Sequence, residues 1–143
     1  MVKRILCLDV GERRIGAAVS DLLGITAQGL ETISNKGDEH NVAAVLALAK
    51  QYETDQVLCG LPRNMDGSEG FQAQYVRDFA QKLRAAGLQV RFQDERLTTA
   101  IARRTLIEAD VSRKKRKQSI DRLAAVQILS TVLDAGGWER AKE

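Results

Sequence analysis

The sequence predicts an α/β protein: a five-stranded mixed sheet, in which an antiparallel meander is continued by parallel crossover strands, with helices on both faces. Three observations carry that expectation. Short β-rich runs joined by tight turns fill the first third, single apolar strands then alternate with amphipathic stretches, and Gly- or Asn-containing breakers separate them. A length of 143 residues, 44% of them hydrophobic and with a single proline, fits one domain over 1–143 that can bury an ordinary core.

Each element has a local reason. RILCLDV is a β-rich run, Gly11 opens a turn through GERR, IGAAVSD is a second strand, and ITAQGLETIS a third. Turns this short join antiparallel neighbours. After Asn35-Lys36-Gly37, Asp38 is expected to cap a helix reaching about Tyr52, with Val42, Val45, Leu46 and Ala49 on one face. QVLCG is a buried strand, followed by the loop LPRNMDGSEG. A helix from about Gln72 to Ala86 turns Tyr75, Val76, Phe79 and Leu83 inward and ends at Gly87. LQVRFQ is the last strand. Thr98 or Thr99 can cap a helix to about Ala109, and a final helix from about Ser119 to Ala135 stops at Gly136-Gly137. This order resembles the ribonuclease H-like fold.

The net charge of +3 is unevenly placed. Nine Lys or Arg fall between Arg96 and Arg122 against only Glu108, Asp110 and Asp121. The block RKKRK at 113–117 repels itself and is expected to stay a flexible loop until a polyanion meets it. A nucleic-acid backbone suits that role, because neutralised phosphates release counterions. No apolar run approaches the roughly 18 residues of a membrane span, and MVKR leads straight into a strand pattern without a signal peptide, so a cytoplasmic protein is expected. Cys7 and Cys59 sit in apolar strands with no CxxC pattern and with His40 as the one histidine, which points to buried reduced thiols.

The acids carry the chemistry. Ligands of sheets with parallel crossovers gather at the C-terminal ends of strands. Asp9 ends the first strand and Asp94-Glu95 the last. Asp121 precedes Ala124, Ala125, Ile128 and Val132 on one helical stripe, which places it on the side that faces the sheet. Acids converging on one rim repel unless a cation joins them. Carboxylates without His or Cys clusters suit Mg²⁺ or Mn²⁺ rather than zinc. Such a site beside a basic stretch suggests phosphodiester chemistry.

Four segments, DVGERRIGAAVSD, GLPRNMDG, DERLTT and KRKQSIDRLAAVQIL, resemble the motifs of the YqgF family of RuvC-like resolvases and pre-16S rRNA nucleases, in the family's order and over nearly the whole chain. The resemblance implies a ribonuclease H-like fold, a cytoplasmic location and a metal-dependent hydrolase acting on RNA and possibly DNA, with pre-16S rRNA 5′-end processing in ribosome biogenesis as the leading role. Resolution of branched DNA and non-catalytic nucleic-acid binding are the alternatives. An ATP-binding module is disfavoured, since no Gly-x-x-x-x-Gly-Lys-Ser/Thr loop is present.

Carried over by motif, the catalytic and metal-binding acids are Asp9, Glu95 and Asp121, with Asp94 assisting from outside or through water. Asp94 and Glu95 point to opposite faces if the strand continues that far, so which of them meets the metal is open. Two ions about 4 Å apart would share Asp9. Arg13, Arg14 and Arg96 are candidates for phosphate contact, Asn64 for substrate contact, and Lys114, Lys115 and Lys117 for an outer backbone clamp. Gly11 and Gly16 match the family's glycines. The expected partner is an rRNA precursor or branched DNA, met by a monomer or a homodimer.

Overall fold

A computed structural model describes residues 3–97 and 113–142, the side chains of 97 and 113–121 excepted. Six strands, β1 (Ile5–Val10), β2 (Arg14–Ser20), β3 (Ala27–Gly29), β4 (Ile33–Ser34), β5 (Gln56–Leu61) and β6 (Gln89–Asp94), form one sheet. Its order is β3-β2-β1-β5-β6, with β4 also on β2. Strands β1 and β2 are antiparallel, whereas β5 lies parallel between β1 and β6. Among the described residues the helices are α1 (Asp38–Gln51), α2 (Phe71–Ala85) and α3 (Arg113–Asp134), with 3₁₀ turns at Glu95–Leu97 and Trp138–Arg140. A mixed α/β sheet with helices on both faces is thus what the chain forms.

Alternation along the strands makes two cores, because successive side chains leave opposite faces. Leu6, Leu8, Val10, Val57 and Cys59 pack on Val45 and Ala49 of α1 and on Ala73, Val76, Phe79 and Leu83 of α2. Ile5, Cys7, Ala18 and Leu58 pack on Ala125, Ile128, Leu129 and Val132 of α3 and on Trp138. Both cysteines are free and buried.

Several local expectations are corrected. The third strand is two, since β3 pairs with residues 18–20 of β2 and β4 with residues 14–15. Asp38 does not cap α1; Gly37 occupies the cap position with φ 99°, a conformation that side chains resist. Asn35 Oδ1 accepts from the Gly37 amide at 3.2 Å and from Asn41 Nδ2 at 2.8 Å, while Asp38 pairs with Lys82 of α2. Leu46 is exposed and Leu48 packs inward in its place. Helix α3 starts at Arg113, about six residues before the expected Ser119, so RKKRK is helical rather than a loop. Lys and Arg are good helix formers, and that preference outweighs their mutual repulsion. The helix expected from Thr98 or Thr99 to Ala109 lies outside the described residues.

Beyond α3 the chain doubles back to β6. Lys142 and Phe92 exchange backbone hydrogen bonds, Lys142 N donating to Phe92 O at 3.2 Å. Arg91 Nη1 donates to Trp138 O at 2.7 Å and the guanidinium lies 4.7 Å from the Trp138 ring. Residues 138–142 therefore run beside the outer edge of β6, bonded to it at Phe92. No described helix is long and apolar enough to cross a membrane.

Candidate active site at the strand ends

Asp9 is the fifth of six residues in β1, in step with Ile5 and Cys7, and so leaves the sheet on the α3 face. It is only 7% exposed. Across the ladder its partner is Gly16. The hairpin beyond is tight: Gly11 N donates to Arg14 O at 2.9 Å, and a Cβ on Gly11 would sit 2.7 Å from that oxygen. Gly11 therefore serves the turn. Asn35 and Gln72 brace the end of β1, donating to Gly11 O and Val10 O, each at 3.0 Å.

Glu95 is 5% exposed and joins Asp9 by an indirect route. Strand β6 ends at Asp94, whose register partner is Leu61, a residue of the α1/α2 core. Asp94 therefore points away from α3. At Glu95 the chain turns into the 3₁₀ segment, and the side chain folds back over Gly60 of β5. A Cβ on Gly60 would lie 3.2 and 3.3 Å from Glu95 Cγ and Cδ, and 2.7 Å from Ile128 Cδ1 of α3. Gly60 stands one residue past Cys59, which pairs with Leu8 of β1. The glycine thus leaves room for Glu95 to lean toward Asp9. Both carboxylates act on Cys7: burial first, then Cys59, Asp9 and Glu95, push its thiol pKa well above the ordinary value.

Asp94 is occupied elsewhere. Arg96 donates Nη2 to Asp94 Oδ2 at 2.6 Å and Nε to both carboxylate oxygens at 3.2 and 3.0 Å, while Arg63 Nη1 stands 3.9 Å away. The side-chain bonds from Arg96 hold the Asp94 pKa below the usual carboxylate range against the opposing effect of burial. Arg96 Nη1 also donates to Met65 O at 3.2 Å, tying loop 62–70 to the end of β6.

The other expected residues take varied positions. Arg14 shares the parity of Gly16 and so the face of Asp9, whereas Arg13 is exposed at the hairpin tip. Asn64 donates Nδ2 to Ser68 Oγ at 2.9 Å and Gly67 N donates to Asn64 O at 2.9 Å, so Asn64 builds the loop from within. Asp121 lies in α3 one residue before Arg122, which reaches Leu30 O; the Asp121 side chain is outside the described residues. The same holds for the side chains of Lys114, Lys115 and Lys117, whose backbone forms the start of α3. Among the described residues no three His, Cys, Asp or Glu group as a metal site; the described members of the expected acid set on this face are Asp9 and Glu95. Sequence reasoning passed over Gly60 as the floor under Glu95, although a glycine inside an apolar strand is itself a signal of close approach. It also passed over Arg63, Asn35 and Gln72.

Comparison with known proteins fits this geometry. A family model described as "RuvX: Holliday junction resolvase" matches residues 3–135. The chain belongs to the RuvX family. This is the family whose four motifs were recognised as YqgF. RuvX relatives named "Putative pre-16S rRNA nuclease" include one from Moorella thermoacetica, 52% identical over 94% of this chain and 96% of its own. Another, from Clostridium acetobutylicum, is 45% identical over 92% and 98%. In fold, this RuvX chain is similar to Thermus thermophilus RuvC, solved in complex with a Holliday junction substrate, at TM-score 0.59 and 15% identity over 99% of both chains. That likeness bears out the ribonuclease H-like architecture.

Proposed function

We propose that this chain is a metal-dependent nuclease that hydrolyses phosphodiester bonds at the Asp9–Glu95 rim and acts in the cytoplasm on the 5′ end of a 16S rRNA precursor. The observation that carries the reading is Glu95 folded over Gly60, which brings a second buried acid to the face of Asp9. The relatives' name supports the RNA substrate. The family's description supports a second reading, cleavage of branched DNA at the same acids.

The residues fit a hard divalent ion such as Mg²⁺ or Mn²⁺. The donors are carboxylate oxygens, the missing Cβ of Gly60 leaves Glu95 its place, and the one nearby thiol, Cys7, is held protonated by burial. Asp9, Glu95 and Asp121 would be the residues that hold such an ion. A divalent ion there would supply Lewis acidity toward a phosphoryl oxygen and toward the attacking water. Arg14, on the same face, would donate two hydrogen bonds to a phosphate group of the substrate. Asp94 would act through Arg96, fixing the guanidinium and loop 62–70 beside the acids rather than meeting a metal. The basic start of α3 would hold backbone further from the cut.

The test is cleavage of a single-stranded RNA, a precursor-like RNA hairpin and a DNA four-way junction by wild type and Asp9→Asn, with Mg²⁺, Mn²⁺ or EDTA. Metal-dependent cutting of RNA that falls by at least about 100-fold in Asp9→Asn is expected. Cutting of the junction alone selects the second reading. Salt-sensitive binding without cutting by wild type would leave a nucleic-acid-binding module.

A further inference from the structure

A cavity of about 590 Å³ opens at the outer edge of β6, and its wall is cationic. Arg63 and Arg96 flank it from the end of β5 and the 3₁₀ turn, Arg77 comes from α2, and Arg140 and Lys142 come from the chain that runs beside the edge. Among the described residues, two carboxylates oppose these five cations. Asp94 lines the cavity and is held by Arg96. Glu69 stands at its margin, 2.8 Å from Arg77 Nη2 and 3.4 Å from Arg63 Nη2. Arg140 and Lys142 are exposed and form no ion pair with another described residue. An excess of positive charge gathered in a concave site raises the local concentration of anions.

The cavity also has a direction. Asp94 and Arg96 immediately flank Glu95, so the cavity begins where the acid rim ends and runs along β6 away from Asp9. Its volume falls in the range that holds a drug-sized molecule, which is more than one phosphate ion needs. Apart from Leu61, Phe92 and Ala135 its lining is polar, and the guanidinium of Arg77 lies 5.0 Å from the Phe92 ring.

We infer that this cavity binds the phosphate backbone of the nucleic-acid strand on one side of the scissile bond, as a track separate from the basic start of α3. The inference rests on the nuclease reading for its orientation. Arginine forks match phosphate oxygens, and Arg140 and Lys142 are the lining cations without an ion pair among the described residues.

The closing experiment measures binding apart from cleavage. Fluorescence anisotropy in EDTA follows a labelled 20-nucleotide RNA, and DNA of the same sequence, bound to wild type and to Arg140→Gln/Lys142→Gln over a range of KCl. Losing two phosphate contacts should lower the slope of log affinity against log salt by about 1.4, at roughly 0.7 per contact for a single strand. RNA and DNA should respond alike. The control is Lys3→Gln/Lys50→Gln, just before β1 and in the last turn of α1, which should leave the slope unchanged. Thermal melting verifies that each variant is folded. An unchanged slope in the folded Arg140/Lys142 variant overturns the inference, as does an equal fall in the control or a response confined to one nucleic acid. Cleavage by wild type and Asp9→Asn with metal is read in parallel. If nothing is cut while the slope falls as expected, the nuclease reading fails and the backbone track stands.

Discussion

Gly60 decides where Glu95 can lie. A methyl group there meets Ile128 Cδ1 at 2.7 Å and Glu95 Cγ and Cδ at 3.2 and 3.3 Å. The tip of Ile128 can rotate aside, but the carboxylate stem must move. Because misplacement by about 1 Å costs roughly 100-fold in rate, Gly60→Ala is expected to slow RNA cleavage by about tenfold with little change in thermal midpoint. A folded variant with undiminished rate would remove Glu95 from the reaction. Asp94 calls for a different test. Its pKa is lowered in the fold by Arg96, so its contribution to stability is present above the unfolded value of about 3.9 and is lost as pH falls through the lower folded value. Wild type should melt above Asp94→Asn by a constant interval from about pH 7 to 5, and the interval should narrow below about pH 4. Melting curves across that range check it; an interval that does not depend on pH contradicts the assignment.

At the scale of the element, α3 is held to the sheet by Ala124, Ala125, Ile128, Leu129 and Val132. Leu129 is fully buried, and Leu129→Ala is expected to cost about 2–5 kcal/mol, read by urea unfolding. The stripe of this helix was legible because burial against a flat sheet imposes the helical period on the sequence. Its start was not, since the RKKRK block reads as a self-repelling loop, whereas the helix preference of Lys and Arg prevails. The same division holds at the site. The burial of Asp9 on the α3 face was legible because an acid inside an apolar strand run follows the strand's alternation. Which of Asp94 and Glu95 shares that face was not, because it depends on the residue at which β6 turns into a 3₁₀ helix, and one residue of register reverses the face. The cap of α1 misled for a comparable reason: Asn35 reaches it from outside the helix, where helical periodicity carries no information.

Over the whole molecule, residues far apart in sequence meet at one rim because β1, β5 and β6 run parallel and end together. That arrangement leaves β6 as the last strand of the sheet, with a row of backbone groups that any extended chain could join. The return of residues 138–142 bonds to that row at Phe92, through Lys142, and packs Trp138 against Arg91. Truncation after Gly137 is expected to leave the acid rim assembled while the protein self-associates, seen as concentration-dependent growth in light scattering; a monodisperse truncated chain would count against it. The tail thereby works as an internal chaperone for the finished sheet. By bonding to Phe92, it takes up a place on the edge of β6 that an extended segment of a second copy could otherwise join.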